Sequence, residues 1–241
     1  MKVFVGTSGY SYKEWKGSFY PEKLPANQML GYYAARLDTV EINNTFYRMP
    51  TEKVLVQWAD QVPSAFTFVV KASRRITHLK RLTSVEEETT YFLRTLSVLG
   101  GRLGAMLFQL PPNLKKDVPR LRAFLELLPD QARSALEFRN VSWFDDEVYE
   151  ALRAKNAALV IAETEDMQVP FVDTADWGYL RLRREDYDGG DLAAWAERVR
   201  GKPWKEAFVF FKHEDEAFAP RFAAAFREIM ASKEQRAARN G

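Results

Sequence analysis

Eight short apolar runs recur along the chain, and the helical patterns between most of them constrain its fold more than any other feature. The runs lie at residues 2–5, 39–43, 67–70, 105–110, 134–138, 159–162, 178–182 and 207–211. Nearly continuous Val, Ile, Leu and Phe content is typical of parallel strands that are covered on both faces. Eight such strands that alternate with helices predict a single α/β domain, the closed (β/α)8 barrel of the TIM type.

Cap residues and glycines mark the predicted helices between the strands. Ser84 and Glu87 have the spacing of a capping box, and Gly100-Gly101 is predicted to end the helix that follows them. Further helices are predicted near Asp117, after Asp145, after Asp191 and after Pro220.

Composition narrows the class of protein and the chemistry open to it. With 46% hydrophobic residues and no dividing linker, we expect one barrel over 1–230 and a polar, frayed tail over 231–241. The net charge of +2 gives no global reason to expect a nucleic-acid binder. No run approaches the ~20 apolar residues of a membrane span, and the N-terminus lacks a secretory apolar stretch. We therefore expect a cytoplasmic protein without a membrane partner.

Polar side chains stand at the C-terminal ends of most predicted strands. A charged residue in a strand of a closed barrel normally points inward or sits at the rim, because the other face packs on helices. Alternation places three pairs of residues on one strand face each, namely Glu41 with Asn43, Glu137 with Arg139, and Arg181 with Arg183. The other strand ends carry Lys71, Gln109, Glu163 and Lys212. These groups predict a polar ring at the barrel mouth, where TIM barrels place their active sites.

Glutamate acid/base catalysis is the chemistry that this ring favours. Two carboxylates in differently charged surroundings can have separated pKa values, as paired acid and base work requires, so Glu41 and Glu137 are the predicted catalytic residues. The alternative is a salt-bridge network that fills a polar layer of the barrel, with Glu137 paired to Arg139 or Arg181.

Metal and nucleophile signatures are sparse. The absence of cysteine excludes disulfides, thiolate metal sites and a cysteine nucleophile, and two histidines are too few for a three-histidine zinc site. No metal or cofactor is predicted, although Glu41, Glu137 and Glu163 leave a carboxylate site for Mg²⁺ or Mn²⁺ open. The chain has no Gly-x-Ser-x-Gly elbow, no Walker loop and no Gly-x-Gly-x-x-Gly.

An aromatic loop follows the first predicted strand. This segment, residues 7–21, carries five aromatic side chains and exceeds the ~2 to 6 residues common for such connections. Aromatic faces offer rigid area for sugars, bases or apolar ligands, so Tyr10, Tyr12 and Trp15 are predicted to contact substrate. For Trp15 and Phe19, closing the barrel end is an equal alternative.

A basic segment, residues 71–81, follows the third predicted strand. It contains five Lys and Arg, one His and no acid. Beside the mouth, such a cluster suits phosphate or another polyanion, and Arg74, Arg75 and His78 are the predicted contacts. A solvated, exposed loop is the alternative.

At these same residues the chain resembles the YecE-like family, called domain of unknown function seventy-two. The resemblance is carried by Gly-Thr-Ser-Gly-Tyr-Ser-Tyr (6–12), Val-Glu-Ile-Asn-Asn-Thr-Phe-Tyr-Arg (40–48), Lys-Ala-Ser-Arg-Arg-Ile-Thr-His (71–78), Leu-Phe-Gln-Leu-Pro-Pro (107–112) and Leu-Glu-Phe-Arg-Asn-Val-Ser-Trp-Phe (136–144). The resemblance implies a TIM-type barrel, in agreement with the strand count, and the last motif adds Trp143 to the predicted substrate-binding residues.

The family is similar in architecture to endonuclease IV-like barrels, and this likeness implies DNA or another phosphate-bearing ligand. Those enzymes resemble multi-zinc hydrolases rich in histidine, which this chain is not. Two segments also depart from the family pattern. Lys212-His213-Glu214-Asp215 stands where an Asn-Asn-Asp-like segment is common, and residues 181–184 lack the His-Gly that often follows the seventh strand.

Three functions follow from these residues. The first is an enzyme, a hydrolase or lyase, that applies glutamate acid/base chemistry to a small phosphorylated or polyanionic ligand. The second is a non-catalytic barrel that binds nucleic acid through the basic segment and the aromatic loop. The third, glycoside hydrolysis, requires the carboxyls of Glu41 and Glu137 to face each other across an open cleft.

Overall fold

The eight predicted strands form one closed parallel barrel. The computed structural model describes residues 1–163, 167–212 and 217–239, the last seven of these by their backbone alone. The strands are Lys2–Ser8 (β1), Thr39–Ile42 (β2), Thr67–Lys71 (β3), Leu103–Gln109 (β4), Ser134–Glu137 (β5), Ala158–Ala162 (β6), Trp177–Leu182 (β7) and Glu206–Phe211 (β8). They are hydrogen-bonded in sequence order, and β8 pairs with β1. The prediction of a TIM-type α/β barrel is confirmed.

Seven α-helices accompany the barrel in the described parts of the chain. They are Met29–Ala34 (α1), Glu52–Ala59 (α2), Glu86–Leu96 (α3), Val118–Leu125 (α4), Asp146–Ala154 (α5), Gly189–Arg200 (α6) and Phe218–Arg239 (α7). The connection from β6 to β7 has no helix among its described residues, 163 and 167–176. Within the described residues, no helix is long and apolar enough to cross a membrane.

Two of the predicted helix starts are correct, and one is wrong. The side chains of Asp117 and Asp145 accept hydrogen bonds from backbone N–H groups in the first turns of α4 and α5. The capping box at Ser84 does not form, because α3 begins at Glu86 without a side-chain cap. Ser84 has a positive φ of 50° and belongs to the turn that leaves the basic segment. Local cap spacing is therefore overridden by the path of the preceding loop.

Helices α6 and α7 both begin earlier than predicted. Asp188 caps α6 in a capping box with Asp191, so Asp191 lies in the first turn and does not precede it. Helix α7 begins at Phe218, and Pro220 occupies its first turn, where a missing backbone N–H costs no hydrogen bond. The helix continues to Arg239, within the segment predicted as a frayed tail.

Aromatic rings fill the barrel interior below the mouth. Phe208 stacks on Phe4 with ring centroids 4.8 Å apart, and Tyr179 lies 5.4 Å from Phe210. All four side chains are buried. Burying each ring stabilises the fold by about 1.5 to 3 kcal/mol, so this layer is a packed floor beneath the polar groups of the mouth.

Gly104 is required by the packing of this floor. A Cβ at this position would lie 2.3 Å from Thr67 Cγ2 and 2.9 Å from Phe208 Cε1, both on buried residues. We expect Gly104→Ala to destabilise the protein by about 1 to 3 kcal/mol, because a crowded core cannot relax freely. Urea unfolding measures this loss.

Gly101→Ala is the matched control for this substitution. Gly101 lies three residues earlier, and a Cβ there has nothing within 4 Å. We expect its free energy of unfolding to stay close to that of the parent protein. Equal stability of the two variants would contradict the packing argument.

Candidate functional site

One arginine joins two glutamates across the barrel mouth. Arg181 Nη2 donates to Glu41 Oε1 at 2.6 Å, and Arg181 Nη1 donates to Glu137 Oε2 at 2.5 Å. These residues belong to β7, β2 and β5, which are not neighbours in the sheet. Their side chains therefore meet in the interior, as strand alternation predicts. Both glutamates have no exposed surface, and Arg181 is 2% exposed.

Glu41 is saturated with hydrogen-bond donors. Besides Arg181, its carboxylate accepts from Ser8 Oγ at 2.8 Å, Asn43 Nδ2 at 2.9 Å and Tyr179 OH at 2.6 Å. Burial opposes the charge of Glu41, but the Arg181 guanidinium and these hydrogen bonds outweigh it and hold the pKa below its usual range. Glu41 is therefore a fixed anion.

Glu137 is surrounded by positive charge. Its Oε1 accepts from Arg139 Nε at 2.6 Å, from Gln109 Nε2 at 3.1 Å and from Arg183 Nη2 at 3.2 Å. Burial opposes ionisation, yet the three guanidinium groups hold the pKa of Glu137 far below its usual range. At neutral pH this carboxylate is a weak base and cannot act as an acid.

Lys71 completes the ring at the end of β3. Its Nζ donates to Gln109 Oε1 at 2.5 Å and lies 4.3 Å from the centroid of the Phe46 ring. The residue is 9% exposed. Burial lowers the pKa of Lys71 to about 8, and the nearby Arg181 guanidinium acts in the same direction. Lys71 thus titrates close to physiological pH.

Cations outnumber carboxylates in this cluster. Around the anions Glu41 and Glu137 stand four cationic side chains, namely Lys71, Arg139, Arg181 and Arg183. Burial, together with repulsion from Arg181, lowers the pKa of Arg183 to about 10. Among the described residues, the mouth therefore carries more positive charge than its own carboxylates neutralise.

Three buried polar atoms of the cluster lack a hydrogen-bond partner among the described residues. They are Arg181 Nε, Arg183 Nε and Asn43 Oδ1. Such atoms cost free energy unless water or a ligand satisfies them.

The aromatic loop mainly packs on itself. Trp15 has no exposed surface and lies against Tyr12, Phe19 and Tyr20, so the alternative of closing the barrel end holds for Trp15. Tyr12 OH donates to Ser8 O at 2.7 Å. Tyr10 is half-buried, and its carbonyl accepts from Tyr20 OH at 2.5 Å. The loop holds the end of β1 in place beside Glu41.

The basic segment turns at the edge of the mouth. Residues Arg75–Leu79 form a single π-helical turn, a feature frequent at functional sites. Arg75 bonds to Glu88 at 3.2 Å and is turned outward, which matches the alternative of a solvated loop. Arg74 is exposed. His78 contacts the Phe46 ring at 4.8 Å, and burial together with the charge of Lys71 lowers its pKa.

Three other predicted contacts lie outside the cluster. Trp143 is fully buried, stacks on Phe138 and donates to Leu114 O at 2.7 Å, so its role is packing and the substrate contact predicted for it is wrong. Glu163 accepts a hydrogen bond from Tyr187 OH. Lys212 is exposed just beyond β8. His213, the other histidine, lies outside the described residues.

The three glutamates considered as metal ligands do not converge. Arg181 stands between Glu41 and Glu137, and Glu163 is bonded to a tyrosine. No group of three or more His, Asp or Glu side chains that could hold a metal ion occurs in the described part of the chain.

Sequence reasoning assigned no role to several residues of the cluster. Tyr179 shares a strand face with Arg181, which lies two residues later. Ser8 ends β1 and pairs there with Glu41 of β2. Both could have been found by alternation. Phe46 could not, because it is placed beneath Lys71 by a short 3₁₀ turn after β2.

Comparison with known proteins agrees with the fold. The family model "Protein of unknown function DUF72" matches residues 4–240. UPF0759 protein YunF of Bacillus subtilis is 26% identical over 232 residues, covering 89% of this chain and 79% of YunF. UPF0759 protein YecE of Escherichia coli K12 is 29% identical over 143 residues, which cover 59% of this chain and half of YecE.

A solved structure is also similar to this chain in three dimensions. The crystal structure of a DUF72 family protein from Thermotoga maritima MSB8 is 30% identical and superposes with a TM-score of 0.81, covering 96% of this chain and all of that one. The family model spans nearly the whole barrel, including every strand that contributes to the mouth. The chain belongs to the DUF72 family.

Proposed function

We propose that this barrel is an enzyme whose mouth binds a small phosphorylated or polyanionic ligand. The observation that supports the proposal is the excess of buried and half-buried cations around Glu137. A cluster with a net positive charge and low exposure is stabilised by a bound anion, since each unpaired buried charge is costly. Arg139 and Arg183 are the proposed contacts, because each uses only one described nitrogen on Glu137.

Lys71 and two residues of the basic segment extend this anion site. Lys71 adds a charge at the inner edge, next to Gln109. Arg74 is exposed at the rim, and His78 is linked to Lys71 through their shared contact with Phe46. Arg guanidinium groups suit such a site because their planar fork binds phosphate or carboxylate bidentately.

Glu41 and Glu137 are better suited to hold the arginines of this site in place than to act as catalysts. Acid/base work at neutral pH needs a pKa near 7, whereas both pKa values lie below the usual range. Their oxygens are occupied by guanidinium, hydroxyl and amide donors. We infer that they hold Arg181, Arg139 and Arg183 in fixed orientations, so that the anion site is preorganised.

Glycoside hydrolysis is not favoured by this arrangement. The two carboxylates share one guanidinium and have no exposed surface, so no open cleft separates them. A glycosidase pair needs room between its carboxyls for a sugar, and for a water as well in inverting enzymes.

A second candidate function, nucleic-acid binding without catalysis, is favoured by one exposed ring. Tyr47 is 73% exposed and touches Phe46, which in turn contacts His78. Arg48 and Arg74 are exposed on the same two segments. A base could stack on Tyr47 while the arginines contact phosphates, a role that the sequence had assigned to the aromatic loop.

Arg181 is expected to be essential for stability. Removing it by Arg181→Met leaves the buried Glu41 without its guanidinium partner and Glu137 with only Arg139 and Arg183, which costs about 3 to 5 kcal/mol. Arg120→Met is the control, because Arg120 pairs with Asp117 at the surface and should lose under about 1 kcal/mol. Urea unfolding at pH 7 compares the two variants. Similar losses of unfolding free energy would contradict the claim that Arg181 is essential for stability.

The pH dependence of this variant has a definite sign. In the parent protein the folded-state pKa of Glu137 is depressed, so its stabilising effect is present above the unfolded value of about 4.5 and is lost as pH falls below it. In Arg181→Met the buried Glu41 has no guanidinium partner, so its protonation stabilises the folded variant. The difference in unfolding free energy between the two proteins should therefore narrow from pH 7 to pH 4.

Sulfate is the probe for the anion site, because it does not titrate near neutral pH. Calorimetry at constant ionic strength should detect sulfate binding, and Arg139→Gln and Arg183→Gln should each weaken it by roughly tenfold or more. Affinity should fall as pH rises through about 8, where Lys71 loses its proton, and this fall should vanish in Lys71→Met.

Arg75→Gln is the control for sulfate binding. Arg75 carries the same charge, is bonded to Glu88 and faces outward, so its removal should leave the affinity nearly unchanged. No sulfate binding at millimolar concentration, or an equal loss in all three arginine variants, would reject the proposed site.

For the second candidate, Tyr47→Ala should weaken binding of a single-stranded oligonucleotide by about 1 to 3 kcal/mol. Arg74→Gln should reduce the slope of log affinity against log salt by about one. Fluorescence anisotropy over a salt series measures both. Failure of the oligonucleotide to bind at low salt would exclude this function.

A further inference from the structure

Lys71 is set apart from every other described lysine by its surroundings. It is the one buried lysine among those whose burial the structure describes. Its Nζ is held by a neutral amide, that of Gln109, and packs over the Phe46 ring. Lys155, in contrast, bonds to Glu126 and Asp130. A lysine that serves only to neutralise charge is expected to contact a carboxylate directly, as Lys155 does.

We infer that Lys71 is a nucleophile that forms an imine with the carbonyl group of a small anionic aldehyde or ketone. The inference rests on the anion site proposed above and names the substrate class of that site. Amine nucleophiles of this kind are activated by desolvation or by a neighbouring cation, and Lys71 has both.

The neutral amine is available at physiological pH. The pKa of Lys71 is lowered to about 8, first by burial and then by Arg181, so about half of the side chain is unprotonated at pH 8. An ordinary lysine with a pKa of about 10.4 is unprotonated to less than about 1% at that pH. The amide of Gln109 accepts from the nitrogen, and no carboxylate among the described residues forms an ion pair with it.

The anion contacts lie close enough to serve the same small molecule. Gln109 Oε1 accepts from Lys71 Nζ, while Gln109 Nε2 donates to Glu137 Oε1. The guanidinium groups of Arg139 and Arg183 donate to that same carboxylate oxygen. One amide and one carboxylate oxygen therefore separate the amine from the arginines. A ligand of a few carbons with its anionic group on the arginines would present its carbonyl to Lys71.

The reaction balances without a further reagent. The nitrogen lone pair of Lys71 attacks the carbonyl carbon, and the C=O π pair moves to oxygen, which takes up the proton released by nitrogen. The lone pair restored on nitrogen then expels the hydroxyl group and forms the C=N bond, and the hydroxyl leaves as water with the second proton of that nitrogen. Amine and carbonyl give imine and one water, with no change in oxidation state. The cationic form of the imine would withdraw electrons from the neighbouring carbon.

Reductive trapping with anionic aldehydes tests this inference. The protein is incubated at pH 8 with limiting glyoxylate, or with glyceraldehyde 3-phosphate, in the presence of cyanoborohydride, and the modified lysine is located by peptide mass spectrometry. We expect Lys71 to be modified at least tenfold faster than any other lysine. The neutral aldehyde glycolaldehyde should react with Lys71 more slowly than the anionic aldehydes, because it cannot bind the arginines, and sulfate should slow the reaction of Lys71 with the anionic aldehydes.

Two variants complete the experiment. Lys71→Arg keeps the charge of the ring and should abolish the fast modification, while circular dichroism checks that the barrel is intact. Lys155→Arg is the matched control, because Lys155 is half-buried but paired with carboxylates, and it should leave the modification of Lys71 unchanged.

The outcomes separate the inference from the proposed function. The imine is overturned if the two anionic aldehydes modify the exposed lysines as fast as Lys71 and if Lys71→Arg leaves the pattern of modification unchanged. If sulfate still binds through Arg139 and Arg183 in that case, the anion site stands without it. Equal reaction of Lys71 with glycolaldehyde, with no protection by sulfate, overturns the anionic substrate class.

Discussion

The Arg181 guanidinium is the interaction on which the mouth of this barrel depends. It joins Glu41 and Glu137 from strands on different sides of the barrel, within a layer that has almost no contact with solvent. A buried ion triad of this kind is a poor source of stability, because apolar side chains of the same volume often perform equally well. Its value is orientation, since each member is fixed by two or more hydrogen bonds. Loss of one member would leave charges that the interior cannot tolerate.

The charge balance around this triad decides what the mouth can bind. Glu137 Oε1 accepts hydrogen bonds from Arg139 and Arg183. The neutral amide of Gln109 joins Lys71 to the same carboxylate oxygen. The described side chains thus leave positive charge unpaired at low exposure, which favours an anionic ligand. The same crowding of cations, added to burial, lowers the pKa of Lys71 to about 8. The proposed attraction for an anion and part of the lowered pKa of Lys71 therefore have the same electrostatic cause, whereas burial is the larger cause of that pKa.

The loops at the rim determine which aromatic side chains surround this charged cluster. The composition of the aromatic loop predicts contacts with a ligand. Its largest side chain, Trp15, is instead buried by packing, and Tyr12 donates a hydrogen bond to the backbone of β1. The exposed ring at the rim is Tyr47, on the short turn that also brings Phe46 beneath Lys71. Loops beyond the strand ends therefore contribute differently from what their composition indicates, because burial depends on the neighbours that a loop meets.

The barrel and the polar groups at its mouth could be predicted from the sequence, because two-residue alternation and apolar runs are local properties of a strand. It also predicted that Glu41, Glu137 and Arg181 share the interior. Their hydrogen-bond partners could not be predicted in this way, since contacts across a closed barrel join residues 44 and 140 positions apart in the chain. The pKa values of the glutamates and of Lys71 depend on those partners and on burial, and neither can be read from spacing along one strand. The prediction therefore brought these polar groups to one end of the barrel, whereas their pairing and their pKa values required the fold.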